Sequence, residues 1–380
     1  MSHRLRPIDW MRGIVMILMV TDHASEAFNA SRPVTDSVML DGWNQPLDTL
    51  QFLFRWLSHL CAPTFLFLAG TSLALSIERK KARGVTSKGI NRDLLIRGLV
   101  ILGAELVFIN ALWVANTLLL QVLYAIGLSM ICMIALRHLS NRLLLCFSFF
   151  ALTVGEWTSS GILSLPTEPL AAANALLFSG GSIQVDILGI DEIRSVYPLI
   201  PWCGMMAMGW ALGRHLVDRK KSPSAMPLER VLARLGLLAL VVFLATRWWN
   251  GFGNMSLIRL DNSIPQWLHV SKYPPSLSFT GLEIGIMLLV MAGLFRFDSN
   301  RESQPNRNNP ILLFGQTAFF FYLAHIFMLE VAAYLTDIDK MGDLGHALTA
   351  SVIVIVALYP MCIAFRHFKA SRPRSLLRYF

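Results

Sequence analysis

Two long apolar stretches in the first fifth of the chain carry ionisable side chains within them. The stretches cover residues 6–30 and 50–77, and each is long enough to cross a lipid bilayer as a helix. An ionisable side chain near the middle of such a helix costs about 2.5–3.5 kcal/mol on insertion scales. A cost of this size is rarely kept without a use, so these side chains are the first candidates for function.

The first stretch contains Asp22, His23 and Glu26, and the second contains Arg55 and His59. The spacing in the first stretch places Asp22 and Glu26 on one helical face, with His23 close beside them. Polar groups on two successive helices predict a cavity that both helices line.

Composition indicates a polytopic membrane protein, because 54% of the residues are hydrophobic, 15% are charged and the mean hydropathy is +0.53. The net charge of +9 could also indicate a nucleic-acid partner. The basic residues, however, concentrate in alternate connections, notably residues 78–92, residues 214–234 and the tail after residue 366. This is the positive-inside pattern, so we expect a lipid bilayer and no nucleic acid as partner.

The pattern of apolar segments predicts an all-α bundle of ten transmembrane helices that forms a single domain over residues 1–380. The basic connections place both termini in the cytoplasm. The predicted spans are residues 8–30, 50–77, 93–112, 117–136, 143–158, 197–213, 235–249, 276–295, 310–335 and 346–365.

Three histidines fall within predicted spans, namely His23, His59 and His325, and all three lie in the middle or outer half of the bilayer by helical rise. Glu105 and Glu283 lie at a similar depth. A carboxylate beside an imidazole fixes its tautomer and raises its basicity, which suits a general base. A packing role is favoured for His325 and Glu105, and a chemical role for His23.

Other kinds of site have weak signals or none. No helix carries histidines at metal-ligand spacing, so no metal is predicted, and the motifs of nucleotide hydrolases, serine hydrolases and dithiol enzymes are absent from the sequence. Asp9 and Arg12, three residues apart, predict an ion pair at a helix start. Arg12 could instead bind a phosphate group, as could Arg97, which enters the membrane from the same side.

The segment Arg6-Pro-Ile-Asp-Trp-Met-Arg-Gly13, followed by Asp22-His23, resembles the bacterial membrane proteins related to the catalytic domain of heparan-α-glucosaminide N-acetyltransferase. The segments 62–72, 197–202, 273–276 and 319–325 agree, so the resemblance covers nearly the whole chain. It implies a multi-helix enzyme that transfers acetyl groups from cytosolic acetyl-CoA to an amino sugar across the membrane.

In the lysosomal heparan-α-glucosaminide N-acetyltransferase, the proposed active histidine lies several residues beyond the position that corresponds to His23. This sequence has no histidine between residues 24 and 58, so that residue does not carry over. The choice of His23 therefore depends on its own surroundings in this chain.

We accordingly predict an acyltransferase of the bacterial inner membrane with acetyl-CoA as acyl donor. The acceptor is the amine or hydroxyl of an extracytoplasmic glycan or glycolipid. His23 acts as general base and is oriented by Asp22 or Glu26, while His59 is an alternate base or transition-state donor. Arg12 and Arg97 bind the phosphates of the donor.

The main alternative is a proton-coupled transporter or flippase of an envelope metabolite, because histidines and glutamates within membranes also relay protons. A structural or assembly protein would leave the buried charges unexplained. The sequence leaves open whether the chain forms a homo-oligomer and which acyl chain it transfers.

Overall fold

The computed structural model describes residues 5–38, 46–113, 116–159, 168–187, 189–219, 226–300, 306, 308–372 and 375. Regular structure in these residues is mostly helical. A 3₁₀ turn (Ser58–Leu60) joins α2 to α3, and π-helical segments follow α4 (Ala104–Ile109) and α8 (Ala175–Ser179). The helices are α1 (Arg6–Phe28), α2 (Thr49–Leu57), α3 (Cys61–Ala82), α4 (Ser87–Gly103), α5 (Asn110–Trp113), α6 (Val122–Leu136), α7 (Asn141–Ser159), α8 (Glu168–Asn174), α9 (Leu199–Arg219), α10 (Leu228–Trp249), α11 (Ile264–Leu268), α12 (Leu277–Ser299), α13 (Pro310–Gln316), α14 (Ala318–Thr336) and α15 (Leu344–Ser371).

Four helical segments of the described chain are long and apolar enough to cross a membrane: Thr49–Ala82, α12, α14 and α15. Large apolar side chains also point outward from the bundle, for example Leu238, Val241 and Val356, which are about 60% exposed or more. An outward surface of this kind is typical of contact with lipid.

Each of the ten segments predicted to span a membrane contains a helix or two successive helices. The number of helices that cross the membrane and the side on which the termini lie stay predictions. The segment 310–335 is interrupted, because α13 ends at Gln316 and α14 begins at Ala318.

The prediction of helix from residue 117 is wrong at its start, because Thr117–Leu120 form strand β1 and α6 begins at Val122. The side-chain amide of Asn110 binds both the N–H and the carbonyl of Leu119, and a Glu105 carboxylate oxygen accepts from the N–H of Gln121. These bonds take the place of helical ones and hold the segment extended.

Strand β1 belongs to a small sheet with β2 (Gly181–Ile187) and β3 (Ile190–Ser195). The order is β1-β3-β2, with β1 parallel to β3 and β2 antiparallel to it, and Thr117 lies opposite Glu192. This sheet is the exception to the all-helical expectation in the described chain.

Helix α1 packs against α3, α12, α13, α14 and α15 and so lies at the centre of one half of the bundle. Two glycines allow α1 and α13 to touch through their backbones. A Cβ added to Gly13 would lie 1.9 Å from the carbonyl oxygen of Ile311, and one added to Gly315 would lie 1.8 Å from that of Asp9. Contact this close fixes α13, and the start of α14 after it, against the first half of α1.

Candidate functional site

Helices α1 and α14 bring two histidines into direct contact, although 302 residues separate them in the sequence. His23 Nδ1 lies 2.7 Å from His325 Nε2. The two rings are nearly coplanar, with an angle of 9° between their planes and 5.0 Å between their centres. Coplanar rings at this separation meet edge to edge, which is the geometry of a hydrogen bond in the ring plane. We call His23 and His325 the histidine pair.

The contacts of the histidine pair determine its proton positions. His325 Nδ1 lies 3.0 Å from the carbonyl oxygen of Phe321, which can only accept, so His325 Nδ1 carries a proton. In a neutral ring His325 Nε2 is then the acceptor, and His23 Nδ1 must donate to it. The basic lone pair of a neutral His23 consequently lies on Nε2, the atom opposite the bond to His325.

A second group of ionisable residues surrounds the guanidinium of Arg55 on α2. Its Nη1 donates to both carboxylate oxygens of Asp22, at 2.5 and 2.7 Å, while Nε and Nη2 donate to Asp36 Oδ2 at 2.9 and 2.5 Å. His59 Nε2 lies 3.2 Å from the other oxygen of Asp36. All four side chains are buried, and we call them the ionic network.

Asp36 lies in the connection after α1, and its environment keeps it ionised. Burial alone raises the pKa of its carboxyl, but the guanidinium of Arg55 and then the imidazole of His59 outweigh burial and hold that pKa below its ordinary range. Arg32, from the same connection, donates to Asp22 Oδ1 at 3.1 Å and pairs with Glu26 Oε2 at 3.3 Å. The network therefore ties this connection to α1 and α2.

A cavity of about 320 Å³ lies beside the first half of α1, and we call it the Arg12 cavity. Its charged lining residues, Arg12 on α1, Arg97 on α4 and Lys369 on α15, come from the end of the bundle at which α1 begins. Its apolar walls come from α3, α4, α6 and α14, and Tyr322 on α14 is also part of the lining. The Tyr322 ring centre lies 6.4 Å from that of His23, so a lining residue of the cavity is a neighbour of the histidine pair.

A second cavity, of about 640 Å³, lies at the end of the bundle where α1 and α14 finish, and we call it the Glu26 cavity. Four acidic residues and one basic residue line it. These residues are Glu26, Glu330, Asp337, Asp339 and Lys340.

The two cavities lie on either side of the histidine pair along the same two helices. On α1 the order is Arg12, His23, Glu26, and on α14 it is Tyr322, His325, Glu330. The eleven residues from Arg12 to His23 correspond to about 16 Å of helical rise. The lining residues of the two cavities thus flank the histidine pair along both helices, and the two histidines are not themselves among the lining residues.

Residues 4–247 match the sequence profile of a protein family described as heparan-alpha-glucosaminide N-acetyltransferase, catalytic. The match covers more than half of the 380 residues. The chain belongs to this family. No curated protein sequence matches the chain.

Membership in the heparan-α-glucosaminide N-acetyltransferase family confirms the relation that the sequence motifs predicted. The family supports acyl transfer as the general class of chemistry, and the apolar helices together with the family support a membrane protein. The matched region contains Arg12, His23 and Arg97, whereas Tyr322 and His325 lie beyond it. In this member of the family, therefore, the histidine pair is completed by the C-terminal third of the chain.

The structure brings some of the predicted site residues together and separates others. Arg12 and Arg97 line one cavity, although Arg12 also lies 3.7 Å from Asp9 and donates to Ser72 Oγ at 2.6 Å. His59 is bound to Asp36 and is not among the residues that line either cavity.

The expectation that Asp22 or Glu26 orients His23 differs from the observed contacts. Asp22 binds the guanidinium groups of Arg55 and Arg32, and Glu26 pairs with Arg32, while His325 is the partner at His23 Nδ1. Successive residues on a helix point about 100° apart, so the side chain of Asp22 is directed away from that of its neighbour His23.

Sequence reasoning undervalued His325 and passed over Asp36. The signal for Asp36 was indirect: a buried Arg55 needs carboxylate partners, and Asp22 alone cannot use all of its donors. Among the described residues, no group of three or more His, Cys, Asp or Glu side chains is arranged to hold a metal ion.

Proposed function

We propose that this chain is a membrane acyltransferase that uses acetyl-CoA as donor and the amine or hydroxyl of an extracytoplasmic sugar or glycolipid as acceptor. The observation that supports the proposal is that the histidine pair lies on the same two helices, α1 and α14, that line two cavities of different chemistry. The Arg12 cavity has cations at one end and apolar walls leading inward, which suits the phosphates and the long pantetheine arm of CoA. The Glu26 cavity carries four carboxylates and one lysine among apolar residues, which suits a hydrated acceptor and favours an amine.

The positive-inside pattern supports a cytoplasmic location for the end of the bundle where α1 begins. In this orientation the donor enters the Arg12 cavity from the cytosol, where acyl-CoA is made. The acceptor enters the Glu26 cavity from outside, so the acetyl group would cross most of the membrane within the donor.

In the proposed reaction His23 Nε2 takes the proton of the acceptor as its nitrogen or oxygen attacks the thioester carbonyl carbon. The new bond to carbon forms, the carbon–sulfur bond breaks, and the proton is passed to the departing thiolate to give CoA. His325 holds the His23 ring and accepts its Nδ1 hydrogen bond, which stabilises the charge that His23 gains.

Purified protein supplied with radiolabelled acetyl-CoA and glucosamine tests the proposal. The parent protein should bind acetyl-CoA, which raises its melting temperature by mass action, and should form labelled N-acetylglucosamine. His23→Ala should retain binding and lose transfer by about 10²–10⁴-fold, because a general base acts in the transition state. The control His138→Ala changes an exposed residue after α6 and should match the parent.

Two results would argue against the proposal. A parent protein that neither binds nor hydrolyses acetyl-CoA would favour the proton-coupled transporter, for which a histidine pair between opposed cavities is also suitable. A folded His23→Ala protein that transfers at the parental rate would leave His23 as a packing residue.

A further inference from the structure

Tyr322 has a buried hydroxyl group without a hydrogen-bond partner among the described residues. The side chain is 5% exposed and is among the residues that line the Arg12 cavity. A buried hydroxyl in this condition is costly, and native structures seldom retain one unless a ligand or water satisfies it. A ligand that enters the cavity beside the Tyr322 ring is a candidate acceptor for this hydroxyl group.

The position of Tyr322 limits what that ligand group can be. On α14 it lies one turn before His325, and the ring centres of the two residues are 5.6 Å apart. A donor whose phosphates lie near Arg12 and Arg97 would bring its acyl end to this place, because the other lining residues between them are mainly apolar. The oxygen that a thioester presents there is its carbonyl oxygen, which can only accept a hydrogen bond.

We propose that Tyr322 is a catalytic residue whose hydroxyl donates to the carbonyl oxygen of the acyl thioester and stabilises the negative charge that develops on it. This inference rests on the proposed acyltransferase function. Attack by the acceptor moves an electron pair from the carbonyl bond to that oxygen, and the pair returns when the carbon–sulfur bond breaks. A hydrogen-bond donor that is fixed in place before the reaction is most effective at this step.

Tyr322→Phe tests the inference, with Tyr124→Phe as the matched control. Tyr124 is also buried, but its hydroxyl lies 3.4 Å from the carbonyl oxygen of Leu176 and it is not among the residues that line the Arg12 cavity. We expect Tyr322→Phe to lower kcat by about 10²–10³-fold, the usual effect of removing one oxyanion donor. Its Kd for acetyl-CoA should change by less than about tenfold, since the bond to the neutral carbonyl is weaker.

Two further measurements separate chemistry from folding. In the absence of ligand, Tyr322→Phe should melt no lower than the parent, because the deleted hydroxyl has no hydrogen-bond partner among the described residues. In the infrared spectrum of carbonyl-labelled acetyl-CoA bound to His23→Ala, the carbonyl band should lie at lower frequency than in the His23→Ala/Tyr322→Phe double variant. If the phenylalanine variants do not fold, fluorotyrosine at position 322 keeps the shape, and its stronger donation should lower the band further.

The outcomes distinguish this inference from the function on which it rests. Transfer by the parent together with an unchanged kcat and carbonyl band in Tyr322→Phe would overturn the role of Tyr322 and leave the acyltransferase intact. A raised KM for the acceptor with an unchanged carbonyl band would assign the hydroxyl to the acceptor and also overturn it. Failure of the parent to bind acetyl-CoA would instead remove the proposed function itself.

Discussion

Replacing Arg55 with methionine removes the cation of the ionic network while keeping a side chain of similar length. The change deletes four hydrogen bonds, two to Asp22 and two to Asp36. Asp22 keeps Arg32 at 3.1 Å, so the uncompensated charge falls mainly on Asp36, which is 1% exposed. Removing one partner of a buried ion pair costs about 3–5 kcal/mol, and we expect a loss of this size at neutral pH.

The sign of the pH dependence follows from the same contacts. Without Arg55 the main effect that lowers the pKa of Asp36 is gone, and burial, which raises it, dominates. The variant should therefore recover part of its loss as the pH falls and Asp36 takes up a proton. Arg55→Met/Asp36→Asn should likewise be more stable than Arg55→Met alone, because it no longer buries an unpaired charge.

Reversible unfolding in mixed detergent micelles, followed by tryptophan fluorescence between pH 5 and 8, measures these differences. The control Arg79→Met removes an exposed arginine from the end of α3 and should stay within about 0.5 kcal/mol of the parent. If the free energy of unfolding of Arg55→Met lies within about 1 kcal/mol of that of the parent, as for a surface substitution, the reasoning is refuted. A double variant no more stable than the single one would refute it as well.

Three further predictions concern pH, packing and topology. Burial lowers the pKa of His269, so as the pH falls the unfolded chain takes up a proton at this residue before the folded chain does. The stability of the parent should therefore decrease below about pH 6.5. Between pH 8 and 5 the melting temperature of His269→Gln should fall by less than that of the parent. Gly13→Ala should destabilise the protein, because its Cβ would meet the carbonyl oxygen of Ile311, whereas Gly103→Ala has open space and should be neutral in the same melting assay. Reporter fusions after Lys81 and at the C-terminus should both report a cytoplasmic location. If both report an external location, the donor and acceptor sides are reversed.

The sequence predicted site residues correctly where the evidence for them lies within a single helix. The cost of charge within an apolar segment identified α1 and the residues Asp22 and His23, and the basic entrances of two helices indicated Arg12 and Arg97, which the structure places on one cavity. These inferences need only helical geometry and the energetics of burial. They do not require knowing which helices are neighbours.

The pairings that assemble the site could not be predicted in this way. His325 is 302 residues from its partner His23, and Asp36 lies in a connection with no periodic pattern. Strand β1 was missed for a related reason, because a run of three leucines fits helix or strand equally. Hydrogen bonds from the side chains of Asn110 and Glu105 to the backbone of this segment stabilise the strand.

Asp22 and His23 are neighbours in sequence that serve different purposes, and this separation can be measured. Asp22 points into the ionic network, which has its charges paired and ties the connection after α1 to α2. His23 points to His325, near the ring of Tyr322, whose hydroxyl has no partner among the described residues. Asp22→Asn should therefore lower the melting temperature while folded molecules keep most of their transfer rate. His325→Leu removes the acceptor of the His23 Nδ1 proton and should slow transfer with a smaller effect on melting, and the reverse pattern would mean that the network, not the histidine pair, orients the base.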